Sequence, residues 1–279
     1  MQTATEEMAL LYKAVRRTLS RIDQSVGAAD AFQEVAIPEK SASAYRIDVW
    51  AEETLHSAFQ TRGKKRVCVG EESPLSRAEL EACDEFVASD ALDGSTWLKM
   101  GLWGNWAVVV AVVENKPIPS IRTAAVGMFD AMSVPRVLCA NREIDGAFEG
   151  AVHYMPRLSS ATEIAGARIA CSANKPSRIR LYLEKFGAQF DTLGLFLNIS
   201  GAPAVMRVLT GHVDAVFSQS RGYDFAPAAF VAEQAGAYVR SWDGKPLQYR
   251  EALLDPSVLH TWMVAATPEL GRELASILA

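Results

Sequence analysis

The segment Phe86-Val87-Ala88-Ser89-Asp90-Ala91-Leu92-Asp93-Gly94-Ser95-Thr96 holds the residue types best suited to chemistry. A short apolar run delivers Asp90, Asp93 follows three residues on, and a Gly-Ser-Thr turn closes the segment. Two carboxylates at a strand end can share hard cations through oxygen ligands, the donors Mg²⁺ prefers. Gly94 lets backbone N–H groups approach an anion closely. Metal ligands beside an anion cradle are what phosphate-ester chemistry needs. Asp and Gly are also ordinary turn residues, so the spacing alone leaves a plain turn open beside a metal site.

Two further acidic positions end apolar segments. Glu71 and Glu72 follow Val67-Cys68-Val69-Gly70, where a solvated turn is the alternative to a ligand pair. Asp224 precedes an Ala-rich stretch expected to be helical over 226–234, with Pro227 in its first turn and Gly236 at its stop. Asp224 is then either a simple N-cap or a ligand. His56, His153, His212 and His260 lie apart from these positions and read as structural or exposed. Cys68, Cys83, Cys139 and Cys171 are widely spaced and read as small core residues rather than a disulfide framework. No Cys-x-x-Cys or His-x-x-x-His spacing occurs, which disfavours zinc.

The elements that must position these residues follow from periodicity. Thr3 with Glu6 suggests a capping box, after which Met8, Leu11, Val15, Leu19 and Ile22 recur at helical spacing. A polar loop follows over 27–40, and Ile47, Ala51, Leu55 and Phe59 mark a second helix with Asp48 on a neighbouring face. The basic run 61–66 reads as a solvated connector. Residues 67–69 read as a short buried strand, and 107–113, 124–129 and 137–140 as an antiparallel meander with turns at 114–117 and near Asp130. Beyond about residue 140 strands and helices alternate: strands at 168–171, 196–199 and 213–217, helices at 177–186 and 202–209. The expected organisation is an α+β lobe over 1–140 and an α/β lobe over 141–279.

Composition bounds the rest. The 279 residues are 49% hydrophobic and 22% charged, which is ordinary for a globular chain with a substantial core. A net charge of −5 without a dominant basic block argues against a nucleic-acid surface. The aliphatic stretch 107–113 is too short to span a bilayer, and the N-terminus lacks the layout of a signal peptide. A cytoplasmic protein with no membrane partner is the expectation.

Gly70-Glu71-Glu72, then Asp90-x-x-Asp93-Gly94-Ser95-Thr96, then Tyr223-Asp224 opening an Ala-rich helix resembles the inositol monophosphatase superfamily, and the similarity runs through essentially the whole chain. Ala91 stands where the family usually has Pro, and Tyr223-Asp224 stands for its usual Trp-Asp; neither change removes a metal-coordinating oxygen. The resemblance implies a layered α-β-α-β-α sandwich, a homodimer, and hydrolysis of small phosphomonoesters with two to three Mg²⁺ ions. It implies that Glu71, Asp90 and the backbone carbonyl of Leu92 hold one ion, and Asp90, Asp93 and Asp224 a second. Ser95 and Glu71 would orient and deprotonate the attacking water, and the amides of Gly94 to Thr96 would grip phosphate. Asp48 and Glu72 would form an outer shell, and Ser200 would approach the substrate. Inositol-hydrolysing relatives carry an acid shortly before the last metal Asp; here Ser218, Gln219, Ser220 and Arg221 stand there instead. The expectation is therefore a sugar or polyol phosphate bound with help from Arg221. Inositol phosphate remains an alternative, as does a nucleotide 3′-phosphate shelved on Trp103, Trp106 or Tyr223. A non-catalytic metal- and phosphate-binding protein is the remaining one.

Overall fold

The computed structural model describes residues 2–37, 43–60, 66–115, 120–130, 132–173, 175–255 and 258–279. Parts of three sequence features lie outside the described residues: 38–40 of the polar loop, 61–65 of the basic run, and 116–117 of the expected turn. The first helix, α1 (Gln2–Ser25), begins ahead of Thr3, whose side chain also lies outside them. Its Met8, Leu11, Val15, Leu19 and Ile22 are all buried, as the spacing predicts. A small two-stranded sheet, β1 (Glu34–Ala36) with β2 (Ser43–Tyr45), leads into α2 (Arg46–Ser57).

Seven strands then form the first large sheet, in spatial order identical to chain order. They are β3 (Val67–Gly70), β4 (Glu85–Asp93), β5 (Ala107–Glu114), β6 (Ser120–Phe129), β7 (Pro135–Asn141), β8 (Ile144–Glu149) and β9 (Val152–Tyr154). Only β3 and β4 run parallel. Short helices α3 (Arg77–Ala82) and α4 (Ser95–Lys99) flank β4. The sheet continues past the expected join near residue 140: β8 and β9 add two hairpin-linked strands, and the change of sheet comes between Tyr154 and Arg168.

The second sheet has the order β11-β10-β12-β14-β13, its first three strands parallel. Its strands are β10 (Arg168–Ser172), β11 (Leu195–Asn198), β12 (Ala215–Ser220), β13 (Tyr238–Arg240) and β14 (His260–Ala265). Between them come α5 (Pro176–Phe186), a 3₁₀ turn at Gly187–Thr192, α6 (Gly201–Leu209), α7 (Gly222–Gln234) and α8 (Tyr249–Leu254), with α9 (Pro268–Leu278) last. Helix α7 starts four residues earlier than expected, which puts Pro227 in its interior rather than its first turn.

Three apolar clusters show the layering. One joins α1 and α2 to one face of the seven-stranded sheet, and one joins that sheet's other face to the second sheet through α6 and α7. The third packs α5 and α9 on the outside of the second sheet. The result is the five-layered α-β-α-β-α sandwich. Strand β5 explains the aliphatic run: Val108, Val110 and Val112 face α1 and α2, while Ala107, Val109, Ala111 and Val113 face α6 and α7. Both faces are covered, so no polar alternation remains to be read.

An ionic cluster pins α1 to the sheet. The buried Glu7 accepts from Arg122 Nη2 at 2.7 Å, from Arg66 Nη2 at 2.6 Å and from the Thr123 hydroxyl. Burial pushes this carboxyl up, but the bonds from Arg122 and Thr123 and the charges of Arg122 and Arg66 win and hold it below its ordinary value. Its stabilising contribution is present above the unfolded-state pKa and is lost as pH falls through the folded-state value. Glu7→Ala leaves two guanidinium groups short of a partner and is expected to cost about 3–5 kcal/mol in urea unfolding at pH 7. The cost shrinks as the pH falls below 4. A loss under 1 kcal/mol at pH 7 would show that the cluster contributes little.

Candidate active site

The parallel pairing of β3 and β4 is the first step in assembling the acids. Its register sets Gly70 beside Ser89, so Glu71 and Asp90 leave adjacent strand ends together. Glu52, a buried residue of α2, fixes the turn that carries Glu71. Its Oε2 accepts from the amide of Glu72 at 2.9 Å and its carboxylate also accepts from the Ser73 hydroxyl. Gly70 is needed for this clamp, because a Cβ there would lie 2.3 Å from Glu52 Oε2. The sequence carries one signal for Glu52, its four-residue spacing from Asp48, which puts both on one helix face.

A β-bulge re-aims Asp93. In a regular strand, residues three apart face opposite sides. Here Asp90 pairs with Val109 but Asp93 pairs with Ala107, so β4 holds one extra residue between them. Ala91 and Leu92 turn into the cluster under α2, and Asp93 returns to the side of α6. There it accepts from the hydroxyl of Ser200, and its Oδ2 accepts from the amide of Ala202 at 2.7 Å. Asp90 Oδ1 accepts from the amide of Leu92 at 3.0 Å, which folds the bulge back on itself.

The third element is α7. Asp224 is not the N-cap of this helix but its third residue, where Oδ2 accepts from the amide of the N-cap residue Arg221 at 3.2 Å. Its other oxygen, Oδ1, is buried and has no hydrogen-bond partner. Oxygens of Glu71, Asp90 and Asp224 all lie within 4.8 Å of one another. Carboxylates packed this way, one with an orphaned oxygen, fit a divalent cation, whose charge would relieve their repulsion. Asp93 lies outside this group of three, its two oxygens facing α6, although its charge acts on both Asp90 and Asp224. Arg221 does not stand free in a pocket as expected. Its Nη1 donates to Glu71 Oε1 at 2.7 Å, so the guanidinium caps the acidic group.

Gly94 turns the chain out of β4 at φ +94°, and a Cβ on it would meet the Asn105 carbonyl oxygen at 2.5 Å. The amides of Trp97 and Leu98 both donate to the Gly94 carbonyl, while those of Ser95 and Thr96 open α4 with no carbonyl one turn behind them. The Ser95 side chain hydrogen-bonds to Asp48, a buried residue. Among the expected pocket hydroxyls, Ser218 donates to the Ser172 carbonyl and Ser220 accepts from Trp262 Nε1, so both serve the second sheet instead. Trp106 and Tyr223 are fully buried and supply no shelf for a base; Trp103 is half exposed. His56, half-buried with Nε2 at 2.9 Å from the Ser89 hydroxyl, is pushed down to about 4 by desolvation and is neutral at pH 7.

No protein-family model and no curated protein matches this sequence. Solved structures do resemble it. The extragenic suppressor protein suhB of Bartonella henselae superposes with a TM-score of 0.76 at 17% identity, over 97% of each chain. Inositol monophosphatase from Anabaena gives 0.73 at 15% identity, covering 98% of this chain and 95% of that one. SaIMPase-II, solved with 2′AMP bound, gives 0.71 at 15% identity over 96% and 91%. This chain has the inositol monophosphatase fold. Identity at this level speaks for the fold, and the chemistry has to be argued from the residues of the site.

Within that fold, the electrostatics of the acids are set by burial first. Burial, then the charges of Glu71, Asp93 and Asp224, raise Asp90 well above the carboxylate range. Asp224 is raised by burial and by Glu71 and Asp93. Burial pushes Asp93 up to about 6 against its bonds from Ser200 and Ala202, and pushes Asp48 up to about 7 with Glu72 and Glu71 adding. Folded carboxyls with raised values hold protons that the unfolded chain releases near pH 4. Their stabilising contribution is full below that pH and is lost as pH rises through the folded values. His56 acts in the opposite sense between about pH 4 and 6.5, so the window to read is above 6.5. In EDTA, Tm should fall from pH 6.5 to pH 8, and saturating Mg²⁺ should raise Tm more at pH 8 than at 6.5. A Mg²⁺ effect that is absent, or larger at the lower pH, would remove the case for a cation among these acids.

Proposed function

We propose that this chain is a Mg²⁺-dependent phosphomonoesterase acting on a small sugar or polyol phosphate. The observation that carries the reading is the convergence of Glu71, Asp90 and Asp224, with the orphaned Asp224 oxygen, beside the Gly94 turn. Two to three ions would be held by Glu71, Asp90, Asp224 and the carbonyl of Leu92, with Asp93 completing the ligand set from the α6 side. Bound Mg²⁺ supplies Lewis acidity and neutralises charge on the phosphate oxygens. The amides of Gly94, Ser95 and Thr96 grip those oxygens. Ser95 donates its proton to Asp48, which leaves the hydroxyl oxygen to accept from the attacking water and orient it in line with phosphorus. Glu71 takes that water's proton. Asp48 and Glu72 tune this assembly from outside it. Ser200, by holding Asp93, fixes the floor on which the ester lies, and Arg221 recognises polar groups of the substrate at the rim.

The bound 2′AMP of SaIMPase-II supports a small phosphorylated substrate. The lack of an acid between residues 215 and 223 favours a sugar or polyol over inositol. We place the chain in the cytoplasm; no described helix is long and apolar enough to cross a membrane. A homodimer belongs to the same reading, supported by the exposed Val152 and Met155 at the uncovered β9 edge and by Met132 nearby in sequence to β7. Light scattering at micromolar concentration should give twice the mass of the 30.3 kDa chain, and a monomer would reject the dimer.

Phosphate release from a panel of sugar, polyol, inositol and nucleotide monophosphates should require Mg²⁺ and stop on chelation. Asp90→Asn should lower turnover by more than about 100-fold with the fold retained. Ser95→Ala should lower kcat about 100-fold with KM little changed. Mg²⁺ binding without release from any ester would replace catalysis with a binding role. A clear preference for myo-inositol monophosphates would overturn the substrate class alone.

A further inference from the structure

A second cavity, of about 390 Å³, is lined by none of the acids of the candidate active site. Arg207 enters it from α6, Trp103 from the loop after α4, Phe129 and Asp130 from the end of β6, Tyr154 from β9 and Asp23 from α1. Arg207 Nη2 donates to the Gly104 carbonyl at 3.1 Å and to Asn105 Oδ1 at 3.4 Å. Its Nε is buried with no hydrogen-bond partner, and the residue forms no ion pair among the described residues. Burial without a compensating carboxylate lowers its affinity for the proton. A partly buried guanidinium that lines a cavity with no carboxylate paired to it is a standing demand for an anion.

Several of the other polar groups of the cavity are already committed. Arg136 pairs with Glu149 at 2.8 Å, and Asp130 Oδ1 accepts from the amides of Met132 and Val134 at 2.9 and 3.0 Å. His212 Nδ1 is 2.8 Å from the Thr210 hydroxyl. Asp23 and Asp130 also line the cavity, and their negative charge disfavours a polyanion and favours a ligand with a single carboxylate. Trp103, Phe129 and Tyr154 give flat apolar surface for a ring, and the volume suits a small molecule. We propose that this cavity is a binding site for a small aromatic carboxylate, held by Arg207 through its carboxylate and by Trp103 and Phe129 through its ring. The proposal is independent of the phosphatase reading.

The test is titration of the full-length chain with indole-3-acetate in EDTA, followed by calorimetry and tryptophan fluorescence. Saturable binding with one ligand per chain is expected, weakened at least about tenfold by Arg207→Met. The uncharged 3-methylindole should bind both proteins alike, and orthophosphate should not compete. Trp103→Ala, at a half-exposed position, should weaken binding with an unchanged thermal midpoint, and decides the matter if Arg207→Met does not fold. Absent saturation, equal affinity in wild type and the folded variants, or displacement by orthophosphate would each overturn the site.

Discussion

Confinement of like charge is the constraint on which this architecture turns. Glu71, Asp90, Asp93 and Asp224 come from three parts of the chain and converge, Asp90 and Asp93 buried and Glu71 and Asp224 half-buried. Such groups repel one another and resist burial, so they meet only where a stiff frame leaves them no other place. The parallel register of β3 and β4 supplies part of that frame, and the covered faces of the central strands supply its rigidity. Glu52 adds the clamp under Gly70, and Arg221 lends a positive charge at the rim.

The middle helical layer converts the frame into a site. Helices α6 and α7 both begin at the acids: the first turn of one grips Asp93 through Ser200 and Ala202, and the first turn of the other carries Asp224. Helix N-termini favour negative charge, so the layer offsets some of the repulsion that the strands concentrate. The same two helices bury their sides against both sheets, which makes the spacing between sheets and the spacing between carboxylates one geometric fact.

Much of this was legible in the order of residues. The Asp-x-x-Asp-Gly-Ser turn, the buried stripe of α1 and the meander β5–β7 follow from spacing and composition, because each signal is local. The features without a local signal depend on contacts between distant segments. Glu52 reads as one more charge on an amphipathic helix until Gly70 is seen against it. The Arg221–Glu71 pair joins residues 150 positions apart, and no pattern announces it. Strands β8 and β9 are short and polar, so the sheet's true extent was hidden. Pro227 pulled the expected start of α7 downstream, since proline normally marks a first turn, yet this helix tolerates it inside a fully packed layer.

The doubly covered β5 has a consequence for biogenesis. Its run of seven uncharged Ala and Val residues, without proline, has the composition of segments that stack into cross-β fibrils when left bare. During synthesis α1 and α2 emerge ahead of it and can shield one side at once. The helix that shields the other side begins only at Gly201, 88 residues after Val113. At ribosomal speeds of roughly 5–20 residues per second, that side waits about 4–18 s for its cover. Until α6 is made, that apolar side of β5 is a surface on which chains can associate, so aggregation on refolding should rise with protein concentration.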